Sequence, residues 1–353
     1  MRGRGDRLAA GLTELELDLT LVTELVNVRY LTGFGGTNGA CVCGPDTRLF
    51  LTDFRYTERA EAGEVEGWDV VTVRDDWLGG IAARLEGRFG FEDDRMPVRT
   101  LERLRAKLAE GVEPVAAGGA VEKLRRVKDA GELETIAAAA ELADEVWRWS
   151  LERGLAGRSE REVARAAEAR IRELGGDPSF PAIVAAGPNA ALPHAEPGER
   201  EIGNGELVVF DMGAMLDGYC SDGTRTFATG EPGERAREAY EVVRGAQQAA
   251  LDAVAAGIGG EQLDGVAREE IAAAGHGERF GHGLGHGVGL EVHEAPHVSP
   301  RSKDTLAANE VVTIEPGVYL PGELGVRIED LVVVVEDGCR NLSGLSKELQ
   351  LIV

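Results

Sequence analysis

Residues 206–227 read ELVVFDMGAMLDGYCSDGTRTF. Two β-prone runs flank a glycine-containing turn, the composition of an antiparallel hairpin, and each arm carries an aspartate, Asp211 and Asp222. Directly opposed residues of such a pair share a face, as do residues displaced from opposition by an even number. A turn centred on 216–217, or one residue later on Asp217-Gly218, puts both aspartates on one face. Residues 311–335, VVTIEPGVYLPGELGVRIEDLVVVV, repeat the theme. With a turn around Pro321 to Glu323, Glu315 stands opposite Glu329, and Tyr319 and Arg327 fall on that same face. Solvated polar faces would be the plain alternative, but the flanks LVVF, VVTI and DLVVVV are apolar on both faces, as buried strands are. The similarity of the two hairpins suggests an internal pseudo-repeat. Four buried, clustered carboxylates cannot all stay ionised without compensation, and cations are the natural remedy. Carboxylate oxygens with one imidazole suit Mn²⁺, Co²⁺ or Zn²⁺, and acids able to bridge favour a two-metal site.

Between the hairpins lies GHGLGHGVGLEVHEAP, residues 281–296, with three of the chain's six histidines. A phosphate cradle is excluded, since there is no GxxxxGK[ST] and the glycines do not fit GxGxxG after a strand. HEAPH, 293–297, formally matches the zinc-helix pattern HExxH, but Pro296 and the upstream glycines oppose a helix. What remains is a glycine-rich strand or loop whose missing side chains let backbone approach a crowded centre. His286 and His293 are seven apart, so a regular strand would put them on opposite faces. If both serve one site, the chain bends or bulges between them.

The rest of the chain frames this region. KDAGELETIAAAAELADEVWRWSLERG, 128–154, offers Asp129 as N-cap, Glu132 three residues on, and Gly154 as a stop, which predicts a long helix. Further helices are predicted near 158–174, 231–256 and 260–274. Before about residue 120, the β-prone runs LDLTLV, GACVCG, RLFLTD and WDVVTV alternate with helical segments near 56–65 and 100–110. That is the pattern of an α/β domain, and EPVAAGGAVEKL supplies Pro and Gly at a junction. The fold expected is α+β, with a small α/β domain over 1–120 and a second, larger domain over 121–353.

A chain of 353 residues with 43% hydrophobic and 28% charged residues suits a soluble protein of two domains. Its net charge of −24 repels phosphate backbones and anionic lipid, which argues against nucleic acid and membrane as partners. Four cysteines without CxxC pairs fit reduced thiols in a cytoplasmic protein. The N-terminal stretch has no apolar run long enough for a signal peptide, and no segment reaches the length of a spanning helix.

FDMGAMLDGYCSDGTRTF, GHGLGHGVGLEVHEAP, TIEPGVY and VRIED together resemble the pita-bread metallopeptidases, in particular their proline-specific branch of aminopeptidase P and prolidase. The match extends to SFPAIVAAGPNAALPHAEP (179–197), NVRYLTGFGGTNGA (27–40) and LTDFRYTERA (51–60). The resemblance implies a creatinase-like N-terminal domain and a pita-bread catalytic domain with a pseudo-twofold repeat. It implies Asp211, Asp222, His286, Glu315 and Glu329 as ligands of two divalent metal ions, Mn²⁺ foremost, with Asp222 and Glu329 bridging. Glu315 would be the general base, helped by His293 and His194. His194, His282 and His293 would contact substrate, with Tyr319 and Arg327 supporting the site, and a homodimer is implied. His276 matches no functional position and reads as surface. The substrate implied is a peptide with a free N-terminus and proline in second place. Four carboxylates, two divalent cations and one hydroxide leave one net negative charge, which would attract an α-ammonium group. Several prolidases carry an arginine just after HExP, where this chain has His297, which favours an Xaa-Pro aminopeptidase over the alternative Xaa-Pro dipeptidase. A non-catalytic binding module of the same fold is disfavoured by the complete ligand set.

Overall fold

The computed structural model describes residues 2–352, which divide after Arg125 into two compact units. The first is built on a six-stranded mixed sheet in the order Asp69–Thr72, Arg48–Thr52, Gly39–Cys43, Leu19–Val22, Arg88–Phe91, Glu113–Ala116. The four β-prone runs read from the sequence occupy the first four places. The last two strands escaped the sequence reading: RFGF is short and interrupted by glycine, and EPVA was read as a junction. Pro114 is tolerated in that strand because it lies at the sheet edge, where a missing N–H costs no ladder bond. Cys41 and Cys43 are both buried in the strand Gly39–Cys43.

The second unit runs through the same sequence of elements twice. Helices Ala130–Glu152 and Glu160–Glu173 precede the first hairpin, and helices Glu234–Ala253 and Gly260–Ala273 precede the second. Asp129 and Glu132 form the capping box expected, and Ser159 and Glu162 form another. Each helix pair covers one hairpin with apolar side chains. Val146, Trp147, Val163 and Ile171 pack with Val184, Val208, Phe210 and Phe227. Tyr240, Val243, Leu263 and Ile271 pack with Val312, Ile314, Val318, Val326, Ile328 and Val332. Burial of each such side chain contributes roughly 1.5–3 kcal/mol. Alternation along the strands then fixes what the opposite face carries: if Ile314, Val318, Val326 and Ile328 face the helices, Glu315, Tyr319, Arg327 and Glu329 face away.

Both hairpins share one detail of register. In the first, strand Leu207–Asp211 pairs with Thr224–Ala228, with Asp211 opposite Thr224, and Ala214–Leu216 pairs with Tyr219–Cys220, with Met215 opposite Cys220. The two ladders are in phase across a short break that holds Asp222. The turn falls on Asp217-Gly218, the second of the two placements considered, and both residues have positive φ, 45° and 79°. A two-residue primed turn demands this, and Asp-Gly supplies it at little strain. In the second hairpin, Ile314 lies opposite Asp330 and Gly317 opposite Arg327, so Glu315 and Glu329 face each other across the break, as expected. Backbone N–H groups stitch the hairpins together, Glu329 N–H donating to the Thr224 carbonyl oxygen at 3.0 Å and Arg327 N–H to the Thr226 side-chain Oγ1 at 3.1 Å.

Candidate metal centre

At both ladder breaks the acids turn toward a cavity of about 400 Å³ lined by Asp211, Asp222, His286, Glu315, Glu329 and Arg327 together with four further histidines, His194, His282, His293 and His297. The glycine-rich stretch forms its third wall. Strand Gly285–Gly287 pairs with Glu294–Val298 on one side and with Val311–Ile314 on the other. A Cβ on Gly285 would lie 2.0 Å from Thr313 O, and one on Gly287 would lie 2.2 Å from Ala295 O, so the alternating glycines are required by close backbone approach. The ladder is irregular between His286 and Gly287, and the chain bends so that the His286 and His293 rings stand 4.3 Å apart. HEAPH is extended, as Pro296 dictates, and His297 lies opposite His286.

Three overlapping sets of donors can each close on one point within 4.8 Å: Asp211, Asp222 and Glu329; His286, Glu315 and Glu329; and Asp222, His286 and His293. The five residues expected as ligands are all included, and His293, expected to contact substrate, is placed as a sixth possible donor. The His286 Nδ1–H donates to Gly287 O at 3.1 Å, leaving Nε2 free to face Glu315 at 3.3 Å and Asp222 at 3.6 Å. Asp211 Oδ1 and Glu329 Oε1 are buried and have no hydrogen-bond partner among the described residues. Two orphaned acid oxygens aimed into a cluster of buried carboxylates fit divalent cations, because an unsatisfied buried anion is otherwise strongly unfavourable.

Hydrogen bonds to the other oxygen of each carboxylate orient these acids. Arg327 Nη2 donates to Asp211 Oδ2 at 2.5 Å, its Nε donates to Thr224 Oγ1 at 3.0 Å, and Thr224 in turn donates to Glu329 Oε2 at 2.7 Å. Thr313 donates to Glu315 Oε1 at 3.2 Å. Neither threonine was singled out from the sequence, although Thr224 lies two residues beyond Asp222 on the same face. Arg327 also corrects the charge count: it is buried and ion-paired with Asp211, and its positive charge cancels the single negative charge expected. An α-ammonium, if one enters as the sequence leads one to expect, would be attracted by individual acids and not by net charge.

Tyr319 is buried behind the cavity and does not line it. His282 lines it, yet both ring nitrogens bond within the protein, Nδ1 to Gly283 O at 2.8 Å and Nε2 to Tyr319 OH at 2.9 Å. His194 and His293 are exposed at the cavity, beside Phe180, Ile183 and Pro193. His276 is half-exposed and lies outside it.

Without cations the acids divide. Burial, followed by repulsion from Glu329, Asp211 and Glu315, holds the Asp222 carboxyl well above its ordinary range, and burial with repulsion from Glu315 and Asp211 does the same to Glu329. Glu315 is also penalised by burial, but the hydrogen bond and charge of His286 outweigh this and hold it at about 2. Burial likewise opposes the His286 cation, and Glu315 outweighs it, raising the imidazole above its usual value. A metal ion therefore competes with protons on Asp222, Glu329 and His286. Loading is expected to release more than one proton and to weaken progressively as pH falls below neutral. Calorimetric titration of Mn²⁺ in buffers of different ionisation enthalpy measures this, and loading independent of pH would show that these acids carry no protons.

The description "Metallopeptidase family M24" matches residues 134–336, and "Creatinase/Prolidase N-terminal domain" matches residues 4–127. An Xaa-Pro dipeptidase of Pyrococcus furiosus is 34% identical over 99% of this chain and 100% of its own. Two solved structures are similar throughout. An Xaa-Pro dipeptidase from Bacillus anthracis has a TM-score of 0.96 at 36% identity, covering 99% of both chains. An X-Pro aminopeptidase from Thermotoga maritima has a TM-score of 0.91 at 34% identity, covering 99% of this chain and 100% of the other. No helix among the described residues is long and apolar enough to cross a membrane.

Proposed function

The chain belongs to metallopeptidase family M24, with a creatinase/prolidase N-terminal domain ahead of a pita-bread catalytic domain, and from that premise we propose that it is an Xaa-Pro dipeptidase working with two divalent ions. The observation that carries the hydrolytic part is the convergence of five donors, two of their oxygens orphaned, on one cavity. The dipeptide part leans on whole-length likeness to proteins named Xaa-Pro dipeptidase, which favours the alternative over the aminopeptidase expected from the sequence. That aminopeptidase remains the second reading, since His297 lines the cavity at the position where several prolidases carry an arginine and the Thermotoga maritima structure bears that name.

In this reading Asp211, Asp222, His286, Glu315 and Glu329 hold the ions. Bound divalent ions supply Lewis acidity toward the scissile carbonyl and lower the pKa of water. Glu315, kept ionised beside His286, takes the proton of the attacking water and returns it to the departing nitrogen. His293 and His194, exposed at the cavity wall, hydrogen-bond the peptide and the oxyanion. Arg327 and Thr224 keep Asp211 and Glu329 in place.

Matched substrates separate the two readings. With Mn²⁺ present, an Xaa-Pro dipeptide is expected to be cleaved rapidly and the corresponding Xaa-Pro-Yaa tripeptide slowly or not at all, with products read by mass spectrometry. Acetylating the amino terminus should suppress cleavage. Rapid release of the first residue from the tripeptide, with the dipeptide spared, would return the aminopeptidase reading. If neither is cut while Mn²⁺ is bound, proline specificity falls.

A further inference from the structure

Helix Gly260–Ala273 carries an ion pair that belongs to neither the hydrophobic core nor the cavity lining. Asp264 is buried, with 1% of its side chain exposed, and Arg268, one turn on, is 26% exposed. Arg268 Nε and Nη2 donate to the two Asp264 oxygens at 2.8 and 2.9 Å. The guanidinium then spends its remaining donors on backbone: Nη1 donates to Phe280 O at 2.8 Å and Nη2 also donates to His282 O at 2.8 Å. It lies 4.2 Å over the Phe280 ring, which meets the His282 ring edge-on at 5.0 Å. Asp264 Oδ1 also accepts the Leu284 N–H at 3.0 Å. One pair on an outer helix thus grips the chain on both sides of His282.

Two routes lead from this grip to the acids. Leu284 O accepts the backbone N–H of Glu315 at 2.8 Å. The other route runs through side chains. A carbonyl can only accept, so the bond to Gly283 O places the His282 proton on Nδ1 and leaves Nε2 to accept from Tyr319 O–H. The Tyr319 oxygen then accepts from Arg327 Nη1 at 3.0 Å, and Arg327 Nη2 holds Asp211 Oδ2 at 2.5 Å. Every donor in this chain points one way, from Arg327 through Tyr319 to His282.

We propose that Arg268, paired with Asp264, is a positioning residue for the metal centre, fixing Asp211 through His282, Tyr319 and Arg327, and Glu315 through Leu284. His282 is then a strut within the protein, and its bonded nitrogens leave none free for substrate. The inference rests on Asp211 and Glu315 being metal ligands, as in the function proposed above. A planar fork is needed at position 268, because the three donors of an ammonium cannot make the four bonds that Arg268 makes to the two Asp264 oxygens and two carbonyls.

The test titrates metal-stripped Arg268→Met, Arg268→Lys and Tyr319→Phe with Mn²⁺ alone, following free ion by electron paramagnetic resonance, beside melting temperature. Glu269→Ala, an exposed change on the same helix, is the control and should match wild type in both. Arg268→Met is expected to weaken Mn²⁺ binding by about tenfold, the low end of what loss of an outer partner costs. Arg268→Lys should recover the melting temperature while its Mn²⁺ affinity stays reduced. Tyr319→Phe cuts the relay without touching the helix, so it should weaken Mn²⁺ binding even if Arg268→Met folds poorly. Wild-type affinity in Tyr319→Phe, or recovery of affinity together with melting temperature in Arg268→Lys, would overturn the proposal and leave a structural ion pair. If the wild-type protein itself takes up no Mn²⁺, the metal-centre reading fails first and this one with it.

Discussion

Stripping divalent ions from the purified protein is expected to reduce hydrolysis of Xaa-Pro substrates to the uncatalysed background, and returned Mn²⁺ should restore it. The chain's own groups leave little room for another outcome. Asp222 and Glu329 are 8% and 1% exposed, and without cations burial and the neighbouring carboxylates favour their protonated forms. Without the ions nothing in the site supplies Lewis acidity toward a carbonyl or lowers the pKa of water. The same experiment has a thermal readout, because ions that bind only the folded state stabilise it by about 2.7 kcal/mol at a hundredfold excess over Kd. The chelated protein should therefore melt at lower temperature. Full activity in a sample shown by elemental analysis to be free of metal would remove the foundation of the functional reading.

Replacing Glu315 with glutamine is expected to lower kcat by about 10²–10⁴-fold, the range associated with loss of a positioned acid–base group. The substitution deletes the charge proposed to hold an ion and the anion facing His286 Nε2 at 3.3 Å, while the amide oxygen can still accept the Thr313 hydroxyl bond. An amide in that place cannot take up a proton. Metal content has to be measured beside rate, since a lost ligand can empty the site and mimic a lost base. His276→Ala, at a half-exposed position outside the cavity, should stay close to wild type. Equal losses in the two variants would mean that folding, not chemistry, had been perturbed.

The hairpins were legible because strand alternation has a period of two: parity alone grouped Glu315, Tyr319, Arg327 and Glu329, and left only a one-residue choice for the first turn. The long helix at Ala130 was legible from its capping box. Parity says nothing about depth, however, and Tyr319 proved to lie behind the cavity. Nor could spacing reveal which groups would share a proton or an ion pair. Arg327 was placed on the correct face, but its salt bridge to Asp211, and the charge it contributes, required three-dimensional proximity. Asp264 and Arg268 were invisible for another reason. On a helix an i, i+4 ion pair reads as an ordinary solvated contact, and only the folded chain shows that the arginine's spare donors reach Phe280 and His282.

The in-phase ladders on either side of each break also limit where the protein can change in length. A residue inserted at Asp217-Gly218 or in the Pro321–Glu323 loop only enlarges a tip, and every pairing below it survives. One residue inserted between Asp211 and Ala214 would reverse the parity of that arm. Two would restore parity but slide one arm by about 7 Å along the other, more than the 4.8 Å within which the donors converge. The tips are thus the places where a lineage could accept insertions, or an engineer an epitope, while the segments between tip and base must keep their residue count.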